Sequence, residues 1–269
     1  MAEVRIGISG CGGRMGRMVA LEAIETRGCR LAGGIEAEGS PYLGRDLGEL
    51  AGVGALGLKA GHDALALFRA ADVVVDFSSP AASAGHAKIA AATGKALVIG
   101  TTGLDAKQLD GIKTAAKKAP ILHAPNMSVG VNLLLELVRE AASQLGEDYD
   151  IEILEMHHRH KADAPSGTAL ALGREAAAGR KVDLAKKTAP ARLGVTGPRK
   201  PGEIGFAVLR GGDEVGVHRV LFAGPGETVE LSHRATSRRV FARGAVKAAL
   251  WLVKRKPGLY AMADVLAKG

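Results

Sequence analysis

Residues 4–16 read V-R-I-G-I-S-G-C-G-G-R-M-G, a short apolar run that leads into four glycines within seven residues. An amphipathic pattern continues over residues 15–26, so the stretch predicts a strand, a glycine-rich loop and a helix. The glycines have the spacing GxxGxxG with an added GxG, close to the dinucleotide-binding fingerprint but not its strict form. Glycine suits this loop because a side chain would keep the backbone away from a pyrophosphate. Taken alone, the loop fits a plain tight turn equally well.

Glu36 gives this loop a context. A second strand pattern over residues 30–35 ends at Glu36, which lies 20 residues after Gly16. In dinucleotide-binding folds an acid at this distance hydrogen-bonds the adenosine ribose hydroxyls. An ordinary surface acid is the alternative, but strand, loop, helix, strand and acid occur in the expected order, which favours the cofactor interpretation.

Strand and helix patterns alternate over the next part of the chain, after a glycine-rich region at 39–62 for which we predict loops and at most a short strand. The strands are predicted at 72–77, 96–99 and 121–124, and the helices at about 81–93 and 105–118. This alternation predicts a parallel sheet with helices on both faces, a Rossmann-type domain. The strands end in F-S-S-P, G-T-T-G and A-P-N-M, and such exits meet at one edge of a parallel sheet, where ligands bind.

The second half of the chain has a different pattern. A long apolar helix from Ser128 to Gly146, a strand at 149–156 and three alternating strands within 203–235 predict a mixed or antiparallel sheet with few helices. Residues 180–202 are predicted to be a long exposed connection, and a helix returns at 240–253. We therefore predict an α/β protein: a Rossmann-type dinucleotide-binding domain at 1–126 and 240–269, with an inserted α+β domain at 127–239 for substrate binding and oligomerisation.

Residues 155–169, E-M-H-H-R-H-K-A-D-A-P-S-G-T-A, place up to five cationic groups in succession. Such charges repel one another unless an anion lies among them. Ala164-Pro165 interrupts the run, and Ser166-Gly167-Thr168 then begins a helix whose N–H groups suit a carboxylate or phosphate. The two features together suit the two ends of one dianion, such as a pyridine-type dicarboxylate. A solvated charge run and a nucleic-acid patch are the alternatives.

Composition bears on the other classes of function. The chain has 269 residues, 47% of them hydrophobic, a formal charge of +8 and only 3% aromatic residues, which is poor in the stacking groups of nucleic-acid binders. The sequence contains no run of 18 or more apolar residues, so no membrane span is predicted. Cys11 and Cys29 lack metal-ligand spacing, and the three histidines at 157, 158 and 160 lack HExxH spacing, so no metal site is predicted. We expect reduced cysteines, a cytoplasmic location, and neither nucleic-acid nor membrane partners.

The motifs within 155–161 and 163–169 resemble the signature of the 4-hydroxy-tetrahydrodipicolinate reductase family, also called dihydrodipicolinate reductases, of bacterial lysine and diaminopimelate biosynthesis. Similar motifs recur along nearly the whole chain, at 10–16, 76–78, 100–103, 126–132, 202–206 and 241–245. The resemblance implies NAD(P)H-dependent reduction of 4-hydroxy-tetrahydrodipicolinate to tetrahydrodipicolinate with loss of water. It also implies a homotetramer assembled through the sheets of the substrate domain.

The resemblance implies a role for each site residue. His157 would donate or accept a proton at the substrate, Lys161 would be the second proton donor, and His158, Gly167 and Thr168 would bind the substrate. The cofactor would be lined by Gly10, Cys11, Gly12, Gly13, Arg14, Met15, Glu36, Gly100, Thr101, Thr102, Ala124, Pro125, Asn126 and Met127.

Glu36 is followed by Ala37 and Glu38, whereas many relatives have a basic residue directly after the acid. Because a carboxylate repels a 2′-phosphate, we expect NADH to be preferred and NADPH to be usable. Two alternatives stay open for the function. One is another Rossmann dehydrogenase of amino-acid metabolism, acting for example on aspartate semialdehyde or homoserine, and the other is a regulator that senses NAD(H) without turnover.

Overall fold

A computed structural model of the chain describes residues 3–189 and 192–267. It divides into two compact units, Met1–Val129 with Arg239–Gly269, and Gly130–Arg238. The sequence-based boundaries were 126 and 239, against 129 and 238 here. The roles assigned to the two units remain predictions.

The first unit is built on a six-stranded parallel sheet with the strand order β11-β5-β4-β3-β1-β2. Its elements are β1 (Val4–Ser9), α1 (Arg14–Glu25), β2 (Cys29–Ile35), α2 (Leu47–Ala51), α3 (Ala64–Ala70), β3 (Val73–Asp76), α4 (Pro80–Thr93), β4 (Ala96–Ile99), α5 (Ala106–Ala116), β5 (Pro120–His123), α9 (Arg239–Leu252), β11 (Gly258–Tyr260) and α10 (Met262–Leu266).

Both faces of this sheet are covered, as the alternating pattern predicted. The central strands β3 and β4 are buried along their whole length, which explains their continuous apolar sequences. Helices α1 and α9 pack on one face, and α3, α4 and α5 pack on the other. The approach of α9 requires Gly244, since a Cβ there would lie 1.7 Å from the carbonyl oxygen of Met127. The predicted Rossmann-type fold class is confirmed.

The second unit is a mixed five-stranded sheet with the order β10-β9-β6-β8-β7. Strand β6 pairs in parallel with β8 and antiparallel with β9, and β9 pairs antiparallel with β10. The remaining elements of the chain are α6 (Val129–Gln144), β6 (Asp150–His157), α7 (Gly167–Gly179), α8 (Leu184–Lys187), β7 (Thr188–Ala189), β8 (Ile204–Arg210), β9 (Gly216–Gly224) and β10 (Glu227–Ala235). Side chains from α6 and α7 fill one face together with alternate residues of β6, β8 and β9.

Several short elements differ from the sequence-based expectation. Helix α2 lies in the region predicted as loops, because the Asp46 side chain caps its N–H groups and Gly52 ends it at φ 83°. Helix α8 and strand β7 lie within the predicted connection at 180–202, where Asp183 caps α8 and β7 pairs with β8. Residues 190 and 191 of that connection lie outside the described residues. Strands β1 to β6 and β8 to β10 agree with their predicted positions to within a few residues.

Candidate active site

The glycine loop lies between β1 and α1 at the carboxyl edge of the parallel sheet. Gly10 has φ +76°, a conformation that favours glycine, and its N–H donates to the Ile35 carbonyl at 2.9 Å. A Cβ at Gly16 would lie 2.0 Å from the Gly10 carbonyl oxygen, so the loop turns tightly over the start of its own helix. Gly13 is the N-cap of α1 and no side chain caps this helix start. The first turn of α1 therefore presents backbone N–H groups to an anion.

Two pockets of about 440 Å³ and 530 Å³ lie along this edge and share Gly13, Phe77 and Ser78 in their walls. We call them the β2-side pocket, which contains Glu36, and the β4-side pocket, which contains Gly100. Eleven of the predicted cofactor residues line one or both of them: Gly10, Gly13, Arg14, Met15, Glu36, Gly100, Thr101, Thr102, Pro125, Asn126 and Met127. A pair of pockets joined at the glycine loop has the form that a dinucleotide needs.

The other three predicted cofactor residues are placed differently. Cys11 and Ala124 are buried, and burial raises the pKa of the Cys11 thiol to about 12. Gly12 lies beneath the Tyr42 ring, where a Cβ would come within 2.2 Å of a ring carbon. No side chain of these three enters either pocket wall in the described part of the chain. Their assignment as cofactor residues remains a prediction.

Glu36 already accepts hydrogen bonds from the protein, from the Gly12 N–H at 2.6 Å and from the Ser40 hydroxyl at 3.2 Å. Arg17 is held nearby, since its Nε donates to the Gly12 carbonyl at 2.7 Å and its guanidinium lies 4.7 Å from the Tyr42 ring centre. Ala37 and Glu38 also line the β2-side pocket. The carboxylates at this end of the pocket thus come from the residues just after β2.

In the second unit, Glu155 is the centre of the cationic stretch. It is fully buried near the end of β6, and its carboxylate receives both terminal nitrogens of Arg210 at 2.9 Å each. The Nδ1 of His157 bonds to the same carboxylate, and so does the Ser166 N–H at 3.0 Å. Burial alone would raise the pKa of Glu155, but these hydrogen bonds outweigh it and hold the pKa below its ordinary value.

The residues that follow β6 are held by contacts within the second unit. The N–H of His158 donates to the Glu214 carbonyl at 2.8 Å, and Lys161 Nζ lies 2.9 Å from Asp163 Oδ1. The sequence predicted that the clustered cations need an anion. The protein itself supplies two carboxylates, Glu155 and Asp163, of which Asp163 is largely exposed. Burial and the neighbouring cations lower the pKa of His158.

Helix α7 begins beside this network. The Ser166 hydroxyl accepts the Ala169 N–H at 3.1 Å as the helix N-cap, and the same oxygen lies 3.1 Å from Nε2 of His218. Gly167 is exposed, with no heavy atom within 4 Å of the position of a Cβ, and Thr168 is half-buried. His157, His158, Lys161 and the start of α7 therefore all belong to one unit, and Glu155 joins His157 to the helix start.

His218 packs against this site from β9. Its ring meets that of His157 edge to face, with centres 5.1 Å apart. Burial, followed by the charge of His157, lowers the pKa of His218 to about 4, so its imidazole is neutral at neutral pH.

In residues 3–189 and 192–267, no cluster of three His, Cys, Asp or Glu side chains is arranged to hold a metal ion. The same residues contain no helix that is both long and apolar enough to span a bilayer.

Comparison with known proteins decides the family. The family model for the N-terminus of dihydrodipicolinate reductase matches residues 4–127, and the family model for its C-terminus matches residues 130–266. The 4-hydroxy-tetrahydrodipicolinate reductase of Brucella abortus is 54% identical over 260 residues, which cover 96% of this chain and 97% of the relative. The reductase of Afipia carboxidovorans is 52% identical over 269 residues, 100% of this chain and 99% of the relative. The chain belongs to the dihydrodipicolinate reductase family.

A solved dihydrodipicolinate reductase from Paenisporosarcina sp. TG-14, with dipicolinate bound, has the same fold. It superposes with a TM-score of 0.77 at 24% identity and covers 96% of this chain and 97% of the other. The family match confirms the resemblance that the sequence motifs indicated. Dihydrodipicolinate reductases are NAD(P)H-dependent oxidoreductases. Membership in this family decides against the alternatives of a different Rossmann dehydrogenase and a sensing regulator.

The strand exit at Phe77 and Ser78 lines both pockets, as its position after a parallel strand predicted. The residue types alone did not indicate four other side chains in the pocket walls, which are Tyr42, His62, His86 and Phe241. His86 bonds through Nδ1 to the buried Asp76 at 2.8 Å, and Ser78 Oγ donates to the other oxygen of Asp76 at 2.5 Å. An acid as the last residue of a buried strand was the available signal, because it must find partners at the ligand-binding edge of the sheet.

Proposed function

We propose that the protein catalyses the NAD(P)H-dependent reduction of 4-hydroxy-tetrahydrodipicolinate to tetrahydrodipicolinate, in lysine and diaminopimelate biosynthesis. The observation that carries this proposal is the Glu155 carboxylate, which joins His157 to the start of α7. A proton donor and a helix start suited to a carboxylate therefore lie at one place. A cyclic dicarboxylate that must exchange protons during its reduction needs both.

The first unit would hold the cofactor. The glycine loop has no side chains that block an approach to the uncapped start of α1, and the two pockets extend from it toward Glu36 and toward Gly100. The pyrophosphate would lie on Gly10–Met15, the adenosine ribose on Glu36, and the nicotinamide along Gly100–Thr102 and Ala124–Met127. When bound, NADH or NADPH supplies the hydride.

The second unit would hold the dicarboxylate and move its protons. In the net reaction one C–O bond is broken and one C–H bond is formed, and the departing hydroxide takes up one proton and leaves as water. His157 has its Nδ1 fixed by Glu155, so Nε2 is the nitrogen available to the substrate. Lys161 would be the second proton donor, while His158, Gly167 and Thr168 would bind carboxylate oxygens.

Replacing Lys161 with Ala tests the proton-transfer role. We expect kcat to fall by about 10²- to 10⁴-fold, because a general acid is lost. The rate would be followed through the nicotinamide absorbance with the cyclic dicarboxylate, and NADH affinity, measured by fluorescence, should stay within about twofold. Lys186→Ala, at an exposed position of α8, is the matched control and should be unaffected. Wild-type turnover by Lys161→Ala would remove the assigned role, and a wild-type protein that binds NADH without turnover would remove the proposed function.

We also propose that NADH is preferred over NADPH. Glu36, Ala37 and Glu38 line the β2-side pocket, so two carboxylates and no Lys or Arg lie directly after β2 there. A 2′-phosphate at this position would be repelled, which corresponds to about 1–2 kcal/mol, or roughly tenfold in KM. Arg14, Arg17 or Arg45 would make NADPH usable by turning toward the 2′-phosphate.

The assembly and location belong to the same proposal. We propose a homotetramer formed through the sheet of the second unit, working in the cytoplasm. Both thiols are free and buried, which fits a reducing compartment. The support for the tetramer is that the sheet face opposite α6 and α7 carries exposed apolar side chains, such as Leu209.

A further inference from the structure

Glu155 receives four hydrogen bonds from three parts of the chain. One oxygen receives His157 and one Arg210 nitrogen, while the other receives the second Arg210 nitrogen and the Ser166 N–H. The four bonds come from four nitrogen atoms of three residues, and the carboxylate is excluded from solvent. A buried carboxylate with this many donors is ionised, and its position fixes the position of each donor.

We propose that Glu155 and Arg210 act as a pair of positioning residues for the reaction. Glu155 orients His157 and sets the start of α7, and Arg210 neutralises Glu155 so that a dianion can bind beside it. The inference rests on the proposed function for its consequences in turnover. It rests only on geometry for its consequences in the ligand-free protein.

The orientation of His157 follows from the bond at Nδ1. A ring held there by a carboxylate has its Nε2 directed away from Glu155, and this nitrogen lies over Gly216, where an added Cβ would be 3.1 Å from it. A side chain at Gly216 would crowd that nitrogen.

Arg210 neutralises the negative charge of Glu155. An unpaired carboxylate next to a dicarboxylate site would repel the ligand, whereas the two guanidinium nitrogens at 2.9 Å cancel its charge. The same guanidinium donates to the Asp163 carbonyl at 2.6 Å, and Asp163 is the partner of Lys161. Arg210 therefore ties the segment that carries Lys161 to the residue that orients His157.

The charged and titratable groups that face His157 come from three segments. Glu155 and His158 flank it in sequence, with Lys161 in the same segment, while Arg210 approaches from β8 and His218 from β9. His218 is neutral at neutral pH, so Glu155 and Arg210 are the charged groups at the carboxylate that holds His157. Removing the negative charge of Glu155 should therefore lower the pKa of His157, and removing the positive charge of Arg210 should raise it.

The test measures the pKa of His157 by NMR in the ligand-free protein, with the signal assigned from a His157→Asn variant. In Glu155→Gln the pKa should fall by about one unit, and in Arg210→Met it should rise by about one unit. The double variant removes both charges and should return the pKa toward that of the wild type. It also supplies a folded protein if a single variant leaves a buried charge unpaired and unfolds. Glu230→Gln and Arg219→Met, from a more exposed pair in the same sheet, are the controls and should leave His157 unchanged.

Binding and turnover give a second readout. Arg210→Met should weaken the binding of pyridine-2,6-dicarboxylate by about tenfold, because the carboxylate then repels it. Glu155→Gln should lower kcat and move the alkaline limb of its pH profile to lower pH without that loss of binding, because His157 donates its proton from the protonated form. If the pKa of His157 is unchanged in both single variants, or moves in the same direction in both, the pair only holds the fold and the inference is overturned. Because the NMR experiment contains neither substrate nor cofactor, this outcome is distinct from a failure of the proposed function.

Discussion

At the scale of single residues, the position after Glu36 has the clearest consequence for the cofactor. Ala37 lines the β2-side pocket but contributes no charge, and Arg17, a nearby cation, is held by the Gly12 carbonyl and the Tyr42 ring. The proposed preference therefore depends on the two residues directly after Glu36.

We predict that Ala37→Arg lowers the KM for NADPH by about tenfold and changes the KM for NADH by less than about threefold, because the new cation meets only the 2′-phosphate. Steady-state KM values for both cofactors at one salt concentration provide the measurement. Ala263→Arg, at an exposed position of α10, adds the same charge elsewhere and should change neither. A wild type that clearly favours NADPH, or an Ala37→Arg enzyme no better with it, would contradict the argument from charge.

His218 makes a prediction about acid stability. The folded protein holds its imidazole neutral with a pKa of about 4, whereas an exposed histidine has a pKa near 6.5. Below pH 6.5 the unfolded chain therefore binds this proton more readily than the folded chain. Stability is lost as the pH falls from about 6.5 to about 4, by up to about 3 kcal/mol.

Replacing His218 with Gln removes this titration and should flatten the dependence of Tm on pH between about 7 and about 4.5, whatever its effect on Tm at neutral pH. Thermal unfolding at one protein concentration measures the difference from wild type, which cancels the contributions of other groups such as His123 and His233, whose pKa values burial also lowers. His62→Gln, at an exposed histidine, should follow the wild-type curve. Parallel curves for His218→Gln and wild type would show that His218 does not carry the effect.

At the scale of elements, the local sequence pattern was enough to predict an element that is either long and half-buried or fully buried. Strands β1 to β6 and β8 to β10 and the long helices have apolar patterns that their sequences display. The missed elements are short: α2, α3, α8, β7 and β11 contain two to seven residues each. They form because of a capping aspartate or a partner strand, as when β11 pairs with β5, and no period can be detected over so few residues.

The site shows the same division. The residue types in 155–169 indicated an anion site and a helix start, because charge and capping are local properties of sequence. The pairing of Glu155 with Arg210 spans 55 positions, and that of Ser166 with His218 spans 52. Such pairs depend on the register of β6 against β8 and β9, which only the folded sheet defines. Sequence motifs therefore indicated the groups that are proposed to meet the substrate and missed the long-range partners that hold them.

At the scale of the whole molecule, the second unit has one sheet face that its own helices leave open. We call it the outer sheet face, and its apolar members are Leu154, Met156, Ala207, Leu209, Val217, Leu221 and Ala223. Helices α6 and α7 pack on the opposite face, and Leu209 is 47% exposed. Charged residues lie among these apolar members, since Arg219 is opposite Leu154 and Glu152 is opposite Leu221. A face that combines exposed apolar side chains with charged ones is typical of an interface between subunits.

The predicted homotetramer would cover the outer sheet face by pairing it with that of another copy, since symmetric assemblies pack like surfaces together. We predict that the wild type is a tetramer at micromolar concentration and that Leu209→Arg with Leu221→Arg gives smaller species, because the cations buried in each interface would repel one another. Light scattering coupled to size-exclusion chromatography measures the mass. Leu65→Arg, at an exposed leucine of α3 in the first unit, adds a similar charge away from this face and should remain tetrameric. A monomeric wild type would remove the proposed assembly, and a tetrameric double variant would mean that another surface holds the subunits together.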